Sequence, residues 1–164
     1  MKSEIHPRDL LVALLLVQNS LERRSEAFFQ PFGLTGAQFN ILNLLAGPEG
    51  RMDQAAVVDL LLVGKSSISI VLNRMVRNGL VKREVHPRDR RQVVLILTPK
   101  GRALWREVSR RYEASVEKIF GSLPASRRRS FLGDLKLLHG VLLAEDTEAG
   151  AGWHSHISQA GGAK

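Results

Sequence analysis

Apolar side chains recur at helical spacing at Leu10, Leu14, Val17, Leu21 and Phe28, with Glu22, Arg23, Arg24 and Glu26 on other faces, until Pro31 and Gly33 break the rhythm. This pattern predicts a long first helix over about residues 8–30. Residues 10–17 are apolar almost all the way round, which a helix tolerates only when buried on several sides, either against another subunit or in the middle of a core. Thr35 followed three residues later by Gln38 is a capping-box signature ahead of Phe39, Ile41, Leu42 and Leu45, so a second helix starts there. Gly47, Pro48 and Gly50 end it. Asp53 is placed to cap a short third helix bearing Ala56, Val57, Leu60 and Leu61, and Gly64 permits a sharp turn after it.

Over residues 65–78 the apolar positions Ile68, Val71, Leu72 and Met75 form one stripe, and Gly79 stands where a left-handed stop is expected. The opposite face of this fourth helix offers Ser66, Ser69, Ile70, Asn73, Arg74 and Arg77, groups suited to phosphates and base edges. Two β-prone runs, 81–85 and 92–97, flank the turn-rich tip His86-Pro87-Arg88-Asp89-Arg90-Arg91 and read as a hairpin. Three arginines around one aspartate call either for a nearby anion or for full solvation. Thr98 as N-cap and Pro99 at the first helical position launch a fifth helix with Leu104, Val108, Tyr112, Val116, Ile119 and Leu123 on one face. Pro124 opens a sixth, on which Phe131, Leu135, Leu138 and Leu142 keep the helical period. Its first turn holds Arg127, Arg128 and Arg129 against the macrodipole, which asks for solvent or an acidic neighbour. Past Ala144 the Glu, Gly, Ala and Ser content predicts a flexible tail over 145–164.

The fold class expected is therefore mainly α with a small β-hairpin wing (α+β). One domain covers 1–144, with a winged helix-turn-helix lobe at about 34–98 between helices at about 8–30 and 99–143. At 164 residues the chain can bury one good core. Cysteine is absent, so no disulfide, thiolate metal site or catalytic thiol exists, and a reducing cytoplasm is the expected compartment. The net charge of +8 favours a polyanionic partner, and its distribution sharpens that. Residues 65–91 carry 8 basic and 2 acidic side chains, net +6, whereas residues 1–64 carry 5 and 7, net −2. The longest apolar run, 10–17, is far short of the roughly 20 residues that span a bilayer, so no membrane span is expected. Acidic Glu4 and Asp9 beside Lys2 and Arg8 also argue against a signal peptide. No nucleophile elbow, phosphate-binding loop or zinc-protease helix occurs, so neither an enzyme nor a cofactor is expected. His154 and His156, without a nearby acidic cluster, do not make a metal site.

Three helices, a basic fourth helix and a basic hairpin, in this order, are what a winged helix-turn-helix needs to place one helix in the major groove of duplex DNA and a wing in the adjacent minor groove. A winged-helix module that meets acidic protein or RNA would need a similar basic face and is the alternative. At these residues the chain resembles the MarR family of transcriptional regulators. Gly79-Leu80-Val81-Lys82-Arg83, Pro87-Arg88-Asp89-Arg90-Arg91 and Leu95-Ile96-Leu97-Thr98-Pro99-Lys100-Gly101 follow that family's Gly-Leu-Val, Asp-x-Arg and Leu-Thr-x-x-Gly pattern in order and spacing. Gly33-Leu34-Thr35 with Phe39 and Leu42 resembles its entry to the second helix, and the likeness spans about residues 10–142.

The resemblance implies a homodimeric DNA-binding regulator, a repressor in many relatives, whose first, fifth and sixth helices pack between subunits. Its two lobes would address successive major grooves about 34 Å apart on a pseudo-palindromic operator. Carried over residue by residue, it puts Ser66, Ser67, Ser69, Asn73, Arg74 and Arg77 at the major groove or its phosphates and Lys65 on phosphate. Arg91 enters the minor groove with Arg88 and Arg90 beside it, and Asp89 braces the turn. Relatives often bind small aromatic or phenolic effectors in a crevice. Phe28, Phe32, Phe39, Trp105 and Tyr112 are the candidates here, and plain core packing is the other reading of the same rings. The family's thiol-oxidation branch is closed to a chain without cysteine. One departure stands out. Many relatives carry a polar or basic residue where this chain has Ile70, which either touches a thymine methyl or packs against the protein.

Overall fold

The computed structural model describes the backbone of residues 5–61, 65–87 and 89–160, and side chains at 5–61, 68–87 and 89–144. Helix α1 (Pro7–Phe29) starts where His6 caps it: the His6 Nδ1 accepts from the Arg8 N–H at 3.1 Å, and Asp9 Oδ2 accepts from the His6 N–H at 3.2 Å. A 3-10 turn, Gln30–Phe32, and Gly33 at φ 64° then reverse the chain, a backbone state that costs glycine little. Thr35 and Gln38 exchange the two expected bonds, 3.3 Å to Thr35 Oγ1 and 2.9 Å to Gln38 Oε1, at the head of α2 (Gly36–Leu45).

After α2 come β1 (Arg51–Asp53), α3 (Gln54–Leu60), α4 (Lys65–Arg77), β2 (Val81–Val85), β3 (Val93–Leu97), α5 (Pro99–Phe120) and α6 (Ala125–Ala160). Each helix starts, and both hairpin strands lie, where the pattern puts them, but the sheet has a strand more than a hairpin. Its order is β1-β3-β2, antiparallel throughout, with Met52 opposite Leu95 on one side and Arg83 opposite Leu95 on the other. Strand β1 is three residues long, too short for its alternation to be a signal. It is held by its partner, and Leu97 N–H reaches the Gly50 carbonyl at 2.8 Å beside it. Asp53 precedes α3 as expected, yet its side chain makes no capping bond.

Two compact units divide the chain, residues 1–113 and 114–164. In the first, Ile41, Leu42 and Leu45 of α2, Val57 of α3, Leu72 and Met75 of α4, Leu95 of β3 and Val108 of α5 meet in one buried core. Each such side chain contributes about 1.5–3 kcal/mol of burial. The stripe on α4 is the expected one, with Ile68, Leu72 and Met75 buried and Val71 packed at the margin. Gly79 takes φ 68° and ends the helix, and the following junction is tight. Thr98 Oγ1 donates to the Gly79 carbonyl at 2.7 Å and accepts from the Gly101 N–H at 3.0 Å, while Lys100 Nζ donates to the Asn78 carbonyl at 3.0 Å. A Cβ on Gly101 would lie 2.1 Å from the Leu80 carbonyl oxygen, so only glycine lets α5 start this close to the end of α4. The tail of α4 is thereby fastened to the head of α5.

The first half of α1 is not a core helix: Leu10, Leu11, Leu16 and Val17 are more than half exposed. In the second unit, α6 runs on past Ala144 to Ala160, where composition predicts a flexible tail. No proline interrupts it, and Glu145, Glu148, Ala149 and Ala151 favour helix against the cost of Gly150 and Gly152. Of the three arginines in its first turn, Arg128 faces an acidic neighbour, Glu117, at 3.7 Å, an exposed pair of small energetic weight.

Candidate nucleic-acid interface

Burial of one stripe of α4 turns the opposite stripe outward. Ser69, Ile70, Asn73, Arg74 and Arg77 are all exposed, while Ile68, Leu72 and Met75 face the core. The side chains of Lys65, Ser66 and Ser67 lie outside the described residues. Ile70 does not pack against the protein: it is 72% exposed, so the packing reading of that residue is overturned. The physical reason is phase, because a core centred on Ile68, Leu72 and Met75 leaves the residue between them pointing away.

Beside this helix, β2 and β3 raise the wing. Asp89 closes its tip from within: Oδ1 accepts from the Arg91 N–H at 3.0 Å, and Oδ2 accepts from Gln92 Nε2 at 3.1 Å. The main chain adds Gln92 N–H to the Asp89 carbonyl at 3.0 Å and His86 N–H to the Gln92 carbonyl at 3.0 Å. With the turn held by these bonds, Arg90 and Arg91 stand exposed at the tip. Arg88 lies outside the described residues.

One residue that the pattern did not single out ties these parts together. Arg83 of β2 donates from Nε to Gln54 Oε1 at 3.1 Å and from Nη1 to Asn73 Oδ1 at 2.6 Å. A single planar guanidinium thus spans the start of α3, the base of the wing and the outer face of α4. It also engages the Asn73 carbonyl oxygen, one half of the amide pair with which asparagine reads adenine. Only membership of the Gly-Leu-Val-Lys-Arg run marks Arg83 in the sequence.

The aromatic candidates converge as well. Phe28 lies with its ring centroid 5.7 Å from those of Phe32 and Tyr112, and Phe39 lies 5.0 Å from Tyr112. Phe29, absent from the candidates, is the hub of this cluster, buried and within 5.6 Å of Phe28, Phe39 and Tyr112. Its helical phase next to Phe28 is the only signal that could have found it. Trp105 stands apart from these ring pairs and donates from Nε1 to Asn43 Oδ1 at 3.2 Å. Among the described residues no group of acidic and histidine side chains is arranged to hold a metal ion.

The family model described as MarR family matches residues 32–92, the stretch from the end of the 3-10 turn to the wing tip. This segment is a MarR-family winged helix. The MarR likeness extends over most of the chain in the crystal structure of AbsC, a MarR family regulator from Streptomyces coelicolor: 28% identity, TM-score 0.79, covering 87% of this chain and 99% of that one. HTH-type transcriptional regulator FarR of Neisseria gonorrhoeae is 26% identical over 135 residues, which cover 80% of this chain and 91% of FarR. A transcriptional regulatory protein for the hcr operon of Thauera aromatica is 28% identical over 107 residues, 65% of this chain. The match spans 64% of that regulator's own length, just under two thirds. The chain is accordingly similar to DNA-binding transcriptional regulators of the MarR type, within residues 32–92 by the family model and over most of its length by fold.

Proposed function

We propose that two copies of the chain bind one pseudo-palindromic operator as a cytoplasmic homodimer and act there as a repressor. Each copy lays α4 in a major groove and sets the wing at the adjacent minor groove. The observation that carries this reading is the exposed face of α4, Ser69, Asn73, Arg74 and Arg77, standing beside an exposed basic tip that Asp89 holds in shape. Arg91 and Arg90 serve the minor groove and its phosphates, joined by Arg88, and Lys65, Ser66 and Ser67 meet the backbone at the head of α4. Dimerisation covers the apolar side chains that α1 and α6 leave exposed. Bound over a promoter, such a dimer blocks access to it.

Among the described residues no helix is long and apolar enough to cross a membrane. The rings of Phe28, Phe32, Phe39 and Tyr112, with Trp105 one helical face along α5, supply the apolar wall that a small aromatic or phenolic effector would meet. Tyr112 keeps 37% exposure as the way in. Binding such an effector would release the operator.

A salt titration tests the DNA reading. Affinity for both a selected operator and random duplex should fall as salt rises, since phosphate contacts release counterions, while a preference of about 10³ or more for the operator persists. Loss of both together would mark a charge-only binder, the behaviour of a protein- or RNA-interaction module.

A further inference from the structure

We infer that Ile70 reads sequence, by seating on the 5-methyl group of a thymine in each half-site. The inference rests on the proposed placement of α4 in the major groove. With about 100° of turn per residue, Arg77 lies about 20° from Ile70 around the helix, Arg74 about 40° and Asn73 about 60°, while Ile68, Leu72 and Met75 lie about 140–160° away. Ile70 is thus the centre of the outward face, opposite the buried stripe, and its 72% exposure leaves most of its apolar surface in water. The two guanidinium groups that flank it draw the same face toward phosphate.

A helix entering the groove by this face brings Ile70 to the groove floor. There the four bases present hydrogen-bonding edges and one apolar group, the thymine methyl. Against any other base pair the isoleucine would strip water from a donor or acceptor and return no bond, so its discrimination is also negative. Its neighbour does not compete for the role. Asn73 Oδ1 already accepts from Arg83 at 2.6 Å, which draws its amide toward the wing base and away from the two-bond adenine geometry.

Deoxyuridine supplies a direct test, because it removes the methyl and nothing else. The full chain selects a duplex from a random pool, and each thymine of that duplex is then replaced singly by deoxyuridine. Binding is measured by anisotropy for the natural chain and for Ile70→Ala, an exposed substitution whose fold is checked by circular dichroism. One thymine per half-site should respond, losing about fourfold in affinity for the methyl removed. The Ile70→Ala chain should bind the thymine and uracil duplexes equally. A selected duplex whose uracil forms all bind as well as the original overturns this inference and leaves the DNA reading standing, as does a response that persists in Ile70→Ala. Failure to enrich any sequence overturns both.

Discussion

Arg83 decides how firmly the outer face of α4 is aimed. Its partners are side-chain carbonyl oxygens, on Gln54 and Asn73, and among the described residues no carboxylate pairs with it, so its charge remains available to the nearby field. Arg83→Met keeps the apolar stem and removes both bonds. Because Gln54 and Asn73 can turn to water, unfolding in urea should register a loss of only about 1 kcal/mol. Operator affinity should fall further, by about tenfold, since α4 loses its strut to the wing base. Arg83→Lys should not restore it, because one ammonium replaces a fork that spans two acceptors. Equal affinity in the Met variant would remove Arg83 from the interface. The role could not be read in advance: the two partners sit 29 and 10 residues away in sequence, and no local period links them.

Within single elements, caps and stripes did most of the specifying. Thr35 with Gln38, Thr98 with Pro99, and Gly79 set the ends of α2, α5 and α4 by local chemistry, and the buried stripe of α4 followed from 3.6-residue spacing. Strand β1 escaped the same reading because three residues hold no period, and its conformation is set by Val94, Leu95 and Ile96 across the ladder. The wing offers a test in which two effects oppose each other. Asp89→Ala makes the tip more positive, which by charge alone should tighten DNA binding, but it also deletes the bonds to Arg91 N–H and Gln92 Nε2. We expect order to win: affinity for the operator drops by about threefold to fivefold, while stability falls by no more than about 1 kcal/mol at this half-buried turn residue. Arg91→Ala, which leaves the turn bonded, should cost about 1–3 kcal/mol of binding if the guanidinium reads the groove. Tighter binding by Asp89→Ala would show that the tip acts as charge alone.

For the whole molecule, the unit of residues 1–113 closes its own core and still leaves the first half of α1 uncovered, with Leu16 at 62% exposure. Along α6, Phe131, Leu132, Leu137 and Leu142 are likewise exposed. Exposed apolar surface on this scale, on each unit by itself, marks an interface, and the commonest closed solution is a twofold dimer. Leu16→Glu should therefore leave thermal unfolding of the winged lobe nearly unchanged yet give a monomer in sedimentation at micromolar concentration. Operator affinity should fall by 10²-fold or more as the second lobe is lost, about the gain that linking two sites provides. A stable dimer carrying that substitution would exclude this face of α1 from the interface.

Sequence by itself determined the elements, their order and the place of the positive field. Each of these depends on neighbours a few residues apart: caps, periodicity, turn chemistry and a run of net charge between 65 and 91. The aromatic candidates were legible as apolar positions, but not the hub at Phe29, which only packing selects. Tertiary structure alone decided two matters. It added β1 to the sheet, and it joined Arg83 to Gln54 and Asn73. Both depend on which distant segment lies alongside, and that is settled when the core closes, not by the composition of any one stretch.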